Sequence, residues 1–171
     1  MNKKDLLIKV KEIVPYILIV LVVVLIRTYL FTPIKVNGTS MYPTLENGYF
    51  MILNKIGLKK GINRWDIVVV KEDNRYIIKR VIALPGESVA YIDGKLYINK
   101  RLVEDKYSLS ETSDFNEIYL KSNEYFVMGD NRSVSADSRI IGPVSKDEIY
   151  GKTNLIIFPF SKIGNVEWIH I

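Results

Sequence analysis

The chain has 171 residues, 48% of them hydrophobic, with no cysteine and a single histidine, His170, beside the C-terminus. That inventory excludes a disulfide framework, a thiolate zinc site, a cysteine nucleophile and a multi-histidine metal centre, and it disfavours a Ser-His-Asp hydrolase, so any base must be Asp, Glu, Lys or Tyr. Of the net charge of +5, Lys3, Lys4, Lys9, Lys11 and Arg27 against Asp5 and Glu12 place +3 within residues 1–27, and the rest has no basic run interleaved with aromatics, which argues against a nucleic-acid partner.

From Ile13 to Ile26 the run carries no charge, and its apolar character continues past Arg27 through Tyr29, Leu30 and Phe31. As a helix from Val14 to Phe31 it would span about 27 Å, close to the hydrocarbon thickness of a bilayer. Arg27 lies near the far end, where its side chain can snorkel, and Pro15 falls in the expected first turn. A run that is apolar all round is not an amphipathic surface helix, and a buried core helix of this kind is unusual in so small a domain. A cleaved signal peptide would need a small-x-small site, which Thr32-Pro33-Ile34-Lys35 lacks and Val36-Asn37-Gly38 barely offers. The expected organisation is a cytoplasmic tail over 1–12, a membrane helix over 13–31 and an extracytoplasmic domain over 32–171, oriented by the lysines before the span.

Beyond residue 31, short β-branched and aromatic runs alternate with turn signals, predicting a mainly β domain. Strands are expected at Tyr49–Leu53, Ile67–Val70, Tyr76–Leu84, Val89–Ile92, Lys95–Ile98, Glu124–Met128 and Tyr150–Phe158. Asp93-Gly94 is the strongest hairpin signal. Residues 104–123 are polar and turn-rich and are expected to be an exposed loop.

Three stretches could carry chemistry. Lys79 shares a strand face with Ile77 and Val81, so burial of that face would desolvate its amine and favour the neutral, basic form. Pattern alone favours the opposite, an edge strand with Lys79 and Arg80 in solvent. Gly38-Thr39-Ser40-Met41-Tyr42-Pro43-Thr44-Leu45 suits either a rigidly held Ser40 hydroxyl near backbone N–H groups or an ordinary turn. Residues 129–139 hold three serines, two aspartates and two arginines, which fits a braced site floor or a solvated turn.

Together these stretches resemble, in order and spacing, the motif boxes of bacterial type I signal peptidases in their compact Gram-positive form. The boxes are Ser40-Met41-Tyr42-Pro43-Thr44, Lys79-Arg80-Val81 with Pro85-Gly86-Glu87, and Gly129–Arg139. Arg64-Trp65-Asp66-Ile67-Val68-Val69 and the Asp93–Asn99 hairpin extend the resemblance over nearly the whole chain. It implies a Ser/Lys dyad in which Ser40 attacks the scissile carbonyl and Lys79 takes and returns the proton. The oxyanion would be held by the backbone N–H of Ser40 with help from Gly38. Ser135 would orient the lysine amine, and Asp130, Asp137 and Arg139 would brace the site. Ile34, Val36, Met41, Leu45, Ile77 and Ile78 are the expected walls of shallow pockets that admit only small side chains.

The implied partners are the signal peptides of secretory preproteins, membrane lipid and the secretion translocon; no cofactor or metal is implied. Three positions depart from the family pattern: Ala83 and Trp65 stand where glycine is usual, and Glu87 where aspartate is. Trp65, Tyr29, Phe31 and Phe158 could form an interfacial aromatic surface or pack into the core. Two other functions compete: a non-catalytic relative acting as an assembly factor or chaperone at the cell surface, and a self-cleaving Ser/Lys repressor. The intact Ser40 and Lys79 weigh against the first and the membrane-like N-terminus against the second.

Overall fold

The computed structural model describes residues 3–73, 75–108 and 110–166, so His170 lies outside the described residues. Helix α1 (Lys3–Tyr29) is followed by strands β1 (Phe31–Lys35), β2 (Phe50–Asn54), β3 (Ile67–Glu72), β4 (Arg75–Ala83), β5 (Ser88–Ile92), β6 (Lys95–Ile98), β7 (Arg101–Val103), β8 (Phe115–Tyr119) and β9 (Glu124–Met128). A short helix α2 (Ser138–Ile141) then leads to β10 (Val144–Ser145), β11 (Ile149–Phe158) and β12 (Gly164–Asn165). The protein is mainly β with one N-terminal apolar helix, as the sequence predicts.

Helix α1 is long and apolar enough to cross a membrane, and none of its Lys11–Tyr29 segment is buried against the rest of the chain. That disposes of the core-helix reading. The helix begins earlier and ends earlier than expected. Pro15 is therefore an interior residue rather than a first-turn one, and Phe31 already belongs to a strand. The helix gives way at Leu30 because β1 pairs with β2 along its whole length, from Phe31 opposite Asn54 to Lys35 opposite Phe50. As an edge strand, β1 accommodates Pro33, which has no N–H to donate.

The larger sheet runs β1-β2-β11-β3-β4-β9-β10, with β12 on β11, and the smaller one runs β7-β6-β5-β8. Alternation along β3 sends Ile67 to one face, with Val36, Met41, Leu45, Met51 and Ile156, and Val68 and Val70 to the other, with Val81, Val127 and Ile149. Both faces are covered, which explains the unbroken Ile67-Val68-Val69-Val70 run. A third core, centred on Phe126, Met128, Tyr91 and Leu96, joins the two sheets.

The hairpin at Asp93-Gly94 forms as predicted, with φ of 51° and 69°. Asp114 caps it by accepting both N–H groups, at 2.8 and 2.9 Å. A second tight turn at Asn99-Lys100, with φ of 49° and 63°, produces β7 without any glycine to announce it. The 104–123 segment is not a free loop. Its Phe115–Tyr119 stretch pairs with β5, Thr112 is buried, and Asp105 pairs with Arg132, so two of its polar residues are internal partners while most of the others are exposed as expected.

At Gly151 on β11 an added Cβ would collide with the Leu53 side chain. Gly151→Ala is expected to destabilise the protein by about 1–3 kcal/mol through overpacking. Chemical denaturation followed by tryptophan fluorescence measures it.

Candidate active site

Ser40 stands in a tight turn that follows β1. The turn is closed by Tyr42 N–H to Thr39 O at 3.1 Å and Leu45 N–H to Met41 O at 2.8 Å, and is anchored by the buried Met41 and Leu45. The Ser40 carbonyl accepts from Asn131 N–H at 3.0 Å. Among the described residues its own N–H has no acceptor and is a free donor. Gly38, at φ 95°, is different: its N–H is taken by Asn47 Oδ1 at 3.0 Å. In this structure the Gly38 N–H is therefore directed to a side-chain acceptor, and glycine has no hydroxyl to offer as a second donor.

Lys79 lies on β4 where that strand passes from a half-open edge into the interior. Arg75 to Arg80 pair with β3, and only from Arg80 onward does β9 pair on the other side. Lys79 and Arg80 are each 3% exposed, which overturns the solvent-edge reading. The Lys79 amine lies 2.9 Å from Ser40 Oγ, to which it donates. Burial pushes the Lys79 pKa down, only partly opposed by the Asp137 and Glu72 carboxylates.

Arg80, one residue on, is buried and paired. Its Nε and Nη2 donate to the two Asp130 oxygens at 2.8 and 2.7 Å, Nη1 donates to Trp65 O at 2.9 Å, and the guanidinium stacks 3.6 Å from the Tyr107 ring centre. Asp130 also accepts the Thr44 hydroxyl at 2.5 Å. Neither Arg80 nor Thr44 was singled out from sequence for a role. The available signal was a second cation, beside Lys79, in an otherwise apolar strand, which burial obliges to find a carboxylate.

The 129–139 segment is a braced floor. Asp137 accepts from Gly129 N–H at 3.0 Å and from Arg139 Nε and Nη2, both at 2.9 Å. Burial works against its ionised form, but the Arg139 guanidinium and the Gly129 N–H prevail and hold its carboxyl below the usual range. Arg139 Nη2 also donates to Arg132 O at 2.6 Å. Beneath, Arg132 is held by Asp105, Thr112 and the Tyr91 hydroxyl, whose pKa burial pushes up to about 12.

Ser135 is buried, and its hydroxyl lies toward the Asp137 carboxylate, whose ionised form it favours, rather than on the Lys79 amine. It packs against Gly129, where a Cβ would strike both Ser135 Oγ and the Ser40 carbonyl.

A cavity of about 100 Å³ opens beside the pair, lined by Val36, Met41, Ile77 and Ile78 together with Gly38, Ser40, Tyr76 and Lys79. Leu45 and Ile34 do not line it. Leu45 is fully buried in the core and Ile34 packs against the same cluster. A larger cavity of about 220 Å³ beside Trp65 and Tyr107 touches neither Ser40 nor Lys79. Among the described residues no cluster of three or more His, Asp or Glu could hold a metal ion.

The model of the family described as signal peptidase, peptidase S26, matches residues 10–158. This chain belongs to that peptidase family. Signal peptidase I S of Bacillus subtilis (strain 168) is 37% identical over 176 residues, covering 95% of this chain and 94% of its own. A signal peptidase I of Bacillus licheniformis is 40% identical over 183 residues, covering 97% and 96%. A crystal structure of a signal peptidase I from Enterococcus faecalis V583, 31% identical, covers 53% of this chain and 95% of that one with a TM-score of 0.49.

The departures from the peptidase pattern are absorbed locally. Trp65 adopts φ 74°, a left-handed conformation that glycine reaches without strain, and packs on Tyr107 and the inter-sheet core, away from any aromatic surface with Phe158. Phe158 instead meets Phe50 and Phe160. Glu87 accepts from Arg64 Nη2 and from Leu84 N–H, both at 2.6 Å. Ala83 is fully buried.

Two stability outcomes follow from the opposite states of Lys79 and Arg80. Asp130→Leu should cost about 3–5 kcal/mol by stranding the Arg80 charge, while adding Arg80→Met should recover most of it. Urea denaturation of the two variants measures the difference. Lys79→Met should raise the melting temperature near neutral pH. A depressed folded-state pKa means that the unfolded chain binds more protons, so Lys79 destabilises the fold as pH falls below its unfolded value, and methionine removes that term. Thermal melts at several pH values should show the advantage shrinking as pH rises.

Proposed function

We propose that this protein is a membrane-anchored serine endopeptidase that removes signal peptides from translocated preproteins, with Ser40 as nucleophile and Lys79 as general base. The observation that carries the reading is the 2.9 Å contact between the Ser40 hydroxyl and an amine that is 3% exposed. Across that contact a neutral Lys79 accepts the hydroxyl proton as Oγ attacks the scissile carbonyl. The same proton then passes to the departing amine as the C–N bond breaks, leaving an ester on Ser40. Water, deprotonated by Lys79, cleaves the ester and regenerates the hydroxyl. The free N–H of Ser40 is the donor for the oxyanion. The buried Ser135 hydroxyl, packed with the Ser40 carbonyl against Gly129, is the nearby group for steadying the amine once substrate excludes water.

The cavity formed by Val36, Met41, Ile77 and Ile78 is small, which supports a requirement for small side chains next to the cut. The free edge of β4 before Arg80 leaves backbone groups that an extended peptide can pair with. The apolar helix and the lysines ahead of it support a cytoplasmic tail over 1–12, a span within 13–31 and an extracytoplasmic domain over 32–171, with signal peptides and lipid as partners. A buried amine whose hydrogen-bond partner among the described residues is a serine hydroxyl is a poor feature for a purely binding relative, since it destabilises the fold without adding a surface.

The test is cleavage of a preprotein by the detergent-solubilised chain beside Ser40→Ala and Lys79→Ala. Each substitution should lower the rate by at least about a thousandfold. The wild-type rate should rise with pH through a lysine pKa below the ordinary value of about 10.4, because only the neutral amine is a base. Equal activity of the three proteins would falsify the peptidase reading.

A further inference from the structure

Only Leu30 separates α1 from β1. The end of a helix leaves carbonyls without intrahelical partners, which must find donors elsewhere. Here the β domain takes them up. Lys55, just past β2, donates from Nζ to Thr28 O at 2.9 Å and from its backbone N–H to Leu30 O at 3.1 Å, and the Thr32 hydroxyl donates to Arg27 O at 2.8 Å. The ammonium also lies where the helix dipole favours a cation.

The same ammonium donates to the Tyr150 hydroxyl at 2.9 Å and lies 4.5 Å from that ring's centre. Tyr150 in turn packs on Tyr76, with ring centres 5.0 Å apart. Tyr76 lines the cleft that holds Ser40 and Lys79. The Lys55 side chain therefore ties the helix end to Tyr150 on β11 and, through the adjoining Tyr76, to β4, which carries Lys79. The Lys55 backbone N–H holds Leu30, the single residue leading into β1 and on to Ser40. Lys55 itself does not line that cleft.

We propose that Lys55 is a positioning residue that locks the cleft at a set height and angle over the membrane helix, and so selects substrates by the length of chain between their own apolar segment and the bond cut. This rests on the peptidase reading above. A substrate held in the same bilayer presents its scissile bond at a height set by that spacer, at about 3.3 Å per extended residue. A rigid joint accepts the matching spacer and rejects others, whereas a loosened joint tilts and accepts a wider range at lower efficiency.

The experiment reconstitutes the full chain and its Lys55→Met and Lys55→Arg variants in phosphatidylcholine–phosphatidylglycerol vesicles. The substrates are membrane-inserted preproteins whose spacer is shortened or lengthened stepwise, and a soluble peptide with the same cut sequence. The wild type should show a peaked spacer profile. Lys55→Met should lose on the order of tenfold in kcat/KM at the peak and flatten the profile, while cleaving the soluble peptide at the wild-type rate. Lys55→Arg, which keeps the cation, should restore the peak.

Because the chain has no cysteine, labels at Ile19→Cys and Asp93→Cys report the angle of the joint as a distance distribution, which Lys55→Met should widen. A Lys55→Met profile that overlays the wild type, or a parallel loss on soluble and inserted substrates, overturns the proposal. An unwidened distribution overturns the proposal as well, because the selection acts through the joint. Cleavage of neither substrate by the wild type overturns the peptidase reading and the spacer selection with it.

Discussion

The arrangement around Ser40 depends on the buried ion pair between Arg80 and Asp130. Taking two charges out of water is expensive, and is repaid only when geometry is good and the remaining polar sites are filled. Here the pair is bidentate, Trp65 O takes a third guanidinium N–H, and Thr44 supplies a hydroxyl to the carboxylate. Arg80 adjoins Lys79, Thr44 lies in the turn of Ser40, and Asp130 adjoins the Asn131 N–H that holds the Ser40 carbonyl. Satisfying one ion pair therefore draws three distant segments to a single point. The Lys79–Ser40 contact lies where those three segments meet.

Two adjacent cations on one strand thus meet opposite fates. Arg80 is compensated by Asp130. Lys79, buried to the same degree, contacts a hydroxyl, and the carboxylate that most opposes its loss of charge, Asp137, is itself committed to Arg139 and to Gly129 N–H. Burial without a dedicated counter-charge is what lowers the amine's pKa. The floor beneath is kept rigid by the same logic, with Arg132 surrounded by Asp105, Thr112 and Tyr91 and linked through its carbonyl to Arg139.

Local signals were legible where the physics is local. Continuous apolarity announced α1, the Asp-Gly dipeptide announced the Asp93-Gly94 hairpin, and β-branched runs located most strands to within a residue or two. The signals failed where a distant partner decides. The 104–123 segment reads as solvent-loving because its aspartates and threonine are polar, but Asp105 and Thr112 face Arg132 from another part of the chain. Leu45 reads as a pocket wall from its closeness to Ser40, but the turn directs it into the core. Gly38 reads as an oxyanion donor, but in this structure its N–H is directed to Asn47.

By itself the sequence determined an apolar N-terminal helix, a mainly β remainder and an inventory that, without cysteine or a usable histidine, leaves Asp, Glu, Lys or Tyr as the possible bases. Those follow from composition and short-range periodicity, which need no knowledge of what lies across the fold. Only the tertiary structure decided whether Lys79 is a solvated edge residue or a buried amine against Ser40. An amine's protonation depends on desolvation and on which charges surround it, and both are set by segments roughly 40 and 50 residues away along the chain.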